Sequence, residues 1–199
     1  MRRQSNEMAT TPLFDERKAA EAAAFLLLKA GGKLPLIKLV KLLYLAERLS
    51  LQRYGEPLTG DRLVAMPNGP VLSMTYDHMN GALPSCEGGW ESWIADRAGH
   101  EVALRDPSKL RTPELDLLRL SDSDVEVLAE VWAQFGHWDR WRLVAYTHSD
   151  ACPEWEDPEG SSHPIEYEVL FSRMGYAPDQ AAAMVQRIDD QRLLNASMN

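Results

Sequence analysis

The chain predicts a mainly α fold: a single compact multi-helix domain with a small β-hairpin at its side. Three observations carry this reading. Most long segments place apolar residues at the i, i+3, i+4, i+7 spacing of a helix that buries one face. These stripes stop at glycines, namely Gly31-Gly32, Gly55, Gly136 and Gly175. Two short strand-like runs, within residues 90–104, could form a small hairpin. At 199 residues, 45% hydrophobic and 26% charged, the chain has enough apolar material for one domain of good size.

Residues 1–13 are polar and without periodicity, which predicts a flexible tail closing at Leu13-Phe14. Asp15 caps a first helix reaching Ala30, with Glu16 in its first turn where the helix dipole favours acid. The small side chains of Ala19 to Ala24 allow close approach of a neighbour. The stretch Lys33 to Asn80 is the centre of the plan. From Pro35, residues Leu36, Leu39, Val40 and Leu43 share one helix face, and Ile37, Leu42, Tyr44, Leu45 and Leu49 widen it beyond what one partner covers. Lys38, Lys41 and Arg48 fall on the opposite side. Glu47 falls among the apolar positions, where an ionised carboxylate is costly unless paired; a buried ion pair is the expectation, a partner-facing position the alternative. Gly55 ends this helix, Gly55 to Leu58 turns, residues 58–66 form an extended or short helical link, and Pro70 restarts a helix as its first residue.

Gly81 to Gly89 reads as a loop, and Trp90–Asp96 with Glu101–Leu104 as the two strands of the hairpin. After a loop through Pro107 and Pro113 the pattern is helical. Ser121 caps a stripe of Val125, Leu128, Ala129, Trp132 and Phe135. Asp139 caps a second, with Trp141, Val144, Ala145 and His148 on one face. Tyr167, Leu170, Phe171 and Met174 make a third, and Ala181, Met184, Val185 and Ile188 a last one. The organisation expected is a tail over 1–13, a helical domain over 14–160, and a C-terminal helical extension, 161–199, packed on it.

Lys and Arg number 21 against 30 Asp and Glu, a formal charge of −9. Such a surface repels phosphate backbones, so nucleic-acid binding is disfavoured and a basic protein partner favoured. Cys86 and Cys152 have no CxxC spacing, which suits two free thiols in a reducing compartment. The N-terminus lacks an apolar signal region, and the longest apolar run, Ala22 to Leu28, is too short to span a bilayer. A cytoplasmic location is expected.

No nucleophile elbow, zinc-helix or phosphate-loop motif is present. His148, Asp150, Cys152 and His163 are metal-ligating residue types, but they lack the paired four-ligand spacing of a structural site, so no metal or cofactor is expected. Asp77 and His78 are adjacent on a helix and point about 100° apart, which argues against an acid–base pair. Asn68-Gly69-Pro70 offers an anion cradle with one donor removed by proline, so a tight turn is favoured. Of the tryptophans, Trp132 and Trp141 fit core stripes, while Trp90, Trp93, Trp138 and Trp155 sit in or beside loops. Asp150 to Glu159 holds five acidic residues around Trp155. Acid about an aromatic suits a basic partner, which nominates Trp155, Glu154, Glu156 and Asp157 as the partner-binding surface.

Lys41-Leu42-Leu43-Tyr44, then Gly55-x-Pro57-Leu58, Ala65, Gly69-Pro70-Val71 and Tyr76 come in an order shared with a known family. The later run Leu143-x-x-x-Thr147-His148, followed by Pro153-x-Trp155, extends the match. Over roughly residues 20 to 157 the chain resembles the Panacea domain, an antitoxin domain of the SocA and GepA type. Lys41, Leu42, Tyr44, Gly69, Pro70, Val71, Tyr76 and His148 stand at the motif positions, and a structural role is expected for them. The resemblance implies an antitoxin of a bacterial or prophage toxin–antitoxin pair that neutralises a co-encoded toxin by direct contact, without catalysis or cofactor. The acidic balance points to a basic toxin. A proteolytic adaptor or other interaction module is the alternative, and a metal-dependent hydrolase ranks below it.

Overall fold

A computed structural model describes residues 13–198. Of the flexible tail expected over 1–13, residues 1–12 lie outside the described residues; Leu13 packs against the core.

Helix α1 (Glu16–Lys29) starts where Asp15 accepts a hydrogen bond from the Lys18 amide at 3.0 Å. Its alanines are fully buried, which brings α1 against the central helix α2 (Leu36–Tyr54). Gly55 takes φ +66° and closes α2 by donating to the Leu51 carbonyl at 3.0 Å. Elements pack around α2 on nearly every side, as its wide apolar stripe requires: α1, α6 (Asp122–Phe135), α7 (Arg140–Thr147) and the strands β1 (Lys33–Pro35), β3 (Val71–Leu72) and β4 (Glu101–Ala103). Lys41, assigned by periodicity to the polar side, is therefore buried. A helix enclosed this completely has no polar side at that level.

Glu47 is also buried, yet it is not an ion pair. Its carboxylate accepts from the Thr59 amide and hydroxyl, each at 2.8 Å, and from the Gly60 amide at 3.2 Å. Burial raises its pKa to about 7. The residue pins the turn after α2 to the helix.

The segment expected to restart a helix at Pro70 forms strands instead. β2 (Leu63–Ala65) pairs antiparallel with β3, Leu63 opposite Leu72, and on its other edge with β5 (His163–Pro164). Gly69, at φ +92°, donates to Met66 O at 2.8 Å and makes the reversal. Helix α3 (Ser73–Met79) begins only at Ser73, where the buried Asp61 carboxylate supplies its cap, accepting from the Met74 and Thr75 amides at 2.9 and 2.8 Å. A capping group distant in sequence overrode the local proline signal.

The hairpin of residues 90–104 is only partly formed. Trp90–Trp93 is a short helix, α4, whose first amide donates to Glu16 at 2.8 Å. Trp90 and Ile94, spaced i, i+4, both turn inward. Single bridges join Ile94 to Leu104 and Ala98 to Glu101, while β4 finds its main partner in β1, Lys33 opposite Ala103.

A 3₁₀ turn (Pro107–Lys109) and the short helix α5 (Pro113–Asp116) lead to α6, which opens with a capping box between Ser121 and Asp124. Asp139 caps α7 through the Trp141 and Arg142 amides at 2.8 and 3.0 Å. The buried face of α7 is Leu143 and Thr147; Trp141, expected in the core, is 57% exposed. The face is displaced because Trp138 and Tyr146 pack on Phe135 and fill the space beside it. Helices α8 (Tyr167–Arg173) and α9 (Pro178–Met198) pack on each other and reach the C-terminal end of α2. Tyr176 donates to Gln52 O at 2.9 Å, Met184 lies against Gly55, and Arg187 pairs with Glu56. Among the described residues no helix is long and apolar enough to cross a membrane.

Candidate protein-docking site

One place in the fold gathers the chemistry-bearing residues of α2, the Met66–Val71 turn and the segment after α7. Lys41, reaching from α2, donates to the Pro70 carbonyl at 2.8 Å. Burial pulls its pKa down to about 7. Gly69 sits where three polar atoms meet. A Cβ there would lie 2.8 Å from Lys41 Nζ, 2.8 Å from Thr147 Oγ1 and 2.9 Å from His148 Nε2, and its φ of +92° already disfavours any side chain. Glycine is thus required twice over.

His148 ends α7 and stacks on Trp155, ring centroids 4.0 Å apart and planes within 16°. Burial, with Lys41 close by, holds the imidazole below its usual range. Its Nε2 is buried without a hydrogen-bond partner among the described residues. Trp155 in turn donates from Nε1 to Met66 O at 3.0 Å. The Met66–Pro70 turn is consequently held from both sides, by Lys41 at one end and Trp155 at the other.

Beneath this layer lies a buried polar knot. Glu154 Oε1 accepts from Tyr44 Oη at 2.5 Å and from Arg48 Nε at 2.7 Å, and Oε2 faces Arg48 Nη2 at 3.4 Å. Tyr44 and Glu154 are buried and Arg48 half-buried. Tyr44 is pushed well up by burial and by the adjacent carboxylate. Cys152, buried alongside, has its thiol pushed up to about 12 by burial and Glu154, so it is held as the unreactive thiol. Cys86 is exposed, and both cysteines are free.

The four residues expected to form a partner surface, Glu154, Trp155, Glu156 and Asp157, divide between interior and exterior. Glu154 is an interior anchor, because two α2 donors draw its carboxylate inward. Trp155 is half-buried and bound to Met66. Glu156 and Asp157 are exposed, Glu156 pairing with Arg173 at 3.0 Å and Asp157 accepting from the Glu159 amide at 2.9 Å. Of the motif positions, Lys41, Tyr44, Gly69, Pro70 and His148 belong to the gathered cluster and its polar layer. Leu42 is core, and Val71 and Tyr76 line a cavity on the outer side of the turn. That cavity, about 120 Å³, is walled by Leu36, Ile37, Val40, Met66 and Tyr76, with Lys41 also lining it.

Sequence reasoning missed Arg48 and Met66 as members of the cluster, and Thr147 entered only as part of a motif run. Arg48 was visible in principle, lying four residues after Tyr44 on the same helix face. Met66 contributes a backbone carbonyl, for which no side-chain signal exists. His78, paired in the sequence with Asp77, is buried, stacks between Phe14 and Trp90, and approaches Glu16 at 4.0 Å, so the two neighbours do not form an acid–base couple. His163 lies in β5, exposed. Among the described residues no group of three His, Cys, Asp or Glu side chains gathers to hold a metal ion.

The model of the family described as Antitoxin SocA-like, Panacea domain, matches residues 39–156, more than half of the chain. The chain belongs to that family. No curated protein and no solved structure matches it. The Panacea match begins inside α2 and ends one residue beyond Trp155, so it contains every member of the cluster and leaves α1, α8 and α9 outside.

Proposed function

We propose that this Panacea-domain protein is the antitoxin of a bacterial or prophage toxin–antitoxin pair, acts in the cytoplasm, and neutralises the co-encoded toxin by direct protein–protein binding rather than by catalysis. The observation that carries the reading is how the family-matched cluster uses its reactive groups. Lys41 is held by Pro70, Trp155 by Met66, and Tyr44 and Arg48 by Glu154. These bonds hold a surface in shape and leave a side-chain-sized cavity beside it. Such a constellation recognises another protein by form.

The excess of acid, 30 against 21 basic residues, favours a basic toxin whose approach it accelerates. Glu156 and Asp157, exposed beside Trp155, are offered as part of that encounter surface.

The test is co-expression with the adjacent open reading frame. The neighbour alone should arrest growth, this protein should restore it, and the two products should co-purify. A neighbour that is harmless alone, or is silenced without forming a complex, overturns the proposal.

A further inference from the structure

We infer that the groove running from Tyr76 to Trp141 across the first turn of α2 docks an acidic segment of a protein partner. An apolar side chain of that segment enters the cavity over Lys41, and its carboxylates meet Arg97 and Arg140. For the partner's identity as the toxin, the inference rests on the antitoxin reading.

The groove is two cavities sharing a wall. The one beside Lys41 shares Leu36 and Ile37 with a second of about 200 Å³, which is also lined by Arg97, His100, Arg140 and Trp141. Each is smaller than the roughly 300–1,000 Å³ of a small-molecule pocket, and each suits individual side chains of a peptide.

Charge selects which peptide. The protein carries 30 Asp and Glu side chains, yet none lines either cavity, while the exposed guanidiniums of Arg97 and Arg140 line the second. Arg97 donates to the Asn80 side chain, and Arg140 lies over the Trp141 ring at 5.2 Å. Among the described residues neither guanidinium lies within 4.0 Å of a carboxylate oxygen. The nearby Asp139 carboxylate is occupied in capping α7. A positive groove in a protein of formal charge −9 is a local exception to the surface around it. The two charge patterns act over different ranges. The overall field steers a basic body inward, and the groove, effective within a Debye length of about 8–10 Å, reads an acidic stretch on it.

Shape and rigidity agree. Trp141 stands exposed at the rim with a cation against its ring, the kind of residue that anchors interfaces. The opposite wall, Met66 to Gly69, is clamped by Lys41 and Trp155, so little ordering remains to oppose binding.

The experiment pans a library of short random peptides over the immobilised full chain, with counter-selection on R97E/R140E, whose two sites are exposed. R97Q/R140Q, with its melting curve recorded, controls for the fold. Enriched peptides should place an aromatic or long aliphatic residue within a few positions of paired Asp or Glu. The synthetic winners should bind R97E/R140E at least about tenfold more weakly, and more weakly as ionic strength rises. Enrichment of basic or uncharged peptides, or equal binding to R97E/R140E, overturns the inference. The co-expression assay separates this from the antitoxin reading. If R97E/R140E still silences the neighbour, the groove is not the toxin's site although the antitoxin stands. If the wild type does not silence the neighbour but acidic peptides select the groove, docking stands and the antitoxin reading falls.

Discussion

Glu154→Gln is the substitution that best separates an interior role for this carboxylate from a surface one. In the folded chain Glu154 Oε1 takes the Tyr44 hydroxyl and Arg48 Nε, and the Arg48 side chain is only 16% exposed. E154Q keeps the shape and one acceptor oxygen, but it removes the counter-charge and sets an amide donor against Arg48 Nη2. Breaking a buried ion pair from one side costs about 3–5 kcal/mol; the partial access of water to Arg48 argues for the lower end, about 3 kcal/mol. With a urea m-value of about 2 kcal/mol/M, the unfolding midpoint should fall by about 1.5 M at unchanged slope. R48M/E154Q removes the stranded cation and should recover part of the loss, giving a coupling of about 1–3 kcal/mol in a double-mutant cycle. A loss below about 1 kcal/mol, the range of exposed ion pairs, would refute the argument. If partner binding collapsed in that same variant, Glu154 would be a contact residue, as its acidic neighbours in sequence suggested.

Three further outcomes follow from the same site. G69A forces a Cβ against Lys41, Thr147 and His148 at φ +92° and should destabilise by about 3 kcal/mol, read by thermal melting; a change under about 0.5 kcal/mol would mean that the turn relaxes freely. Lys41 is neutral in the folded chain above about pH 7 but protonated in the unfolded chain up to its ordinary value of 10.5. Unfolding in that window takes up a proton, so this group adds stability as pH rises and its full penalty is present below pH 7. The stability of the wild type minus that of K41M should therefore climb by about 1.4 kcal/mol per pH unit from neutral upward, and a flat difference in urea titrations would sink the assignment. E156K/D157K should leave stability within about 0.5 kcal/mol while slowing association with a basic toxin, measured by stopped flow at low salt; an unchanged on-rate removes this loop from the encounter surface.

Much of the fold was legible because its signals are local. The caps at Asp15, Ser121 and Asp139 and the left-handed stop at Gly55 all read correctly, since each depends on residues within four positions of the helix end. The failures share one cause. Pro70 promised a helix, but the groups that decide the local structure, Asp61 at the cap of α3 and Leu63-Val64 across the strand, come from earlier in the chain. Trp90 to Asp96 promised a strand, but Glu16 caps a helix there from 74 residues away. Periodicity placed Lys41 and Arg48 on the polar side of α2, where in an ordinary surface helix they would be solvated.

The same error exposes how the site works. A helix surrounded on all sides must satisfy its polar residues internally, and α2 does so by recruiting backbone and carboxylate from segments far along the chain: Pro70 for Lys41, Glu154 for Tyr44 and Arg48. Each recruited segment is thereby fixed in position on the central helix. The Met66–Gly69 turn is one of them, and it forms a wall of the groove. The motif residues thus bear on recognition through the wall they immobilise and through Lys41, Val71 and Tyr76 in the lining of the inner cavity, while Ile37, Arg97, Arg140 and Trp141 of the outer cavity stand outside the motif. In such a frame the outer set can be changed without disturbing the bonds that hold the inner one. Grafting a new outer set onto this frame should change which partner is bound and leave the unfolding midpoint nearly in place, whereas any exchange at Gly69 or Glu154 should lower the midpoint whichever partner is tested.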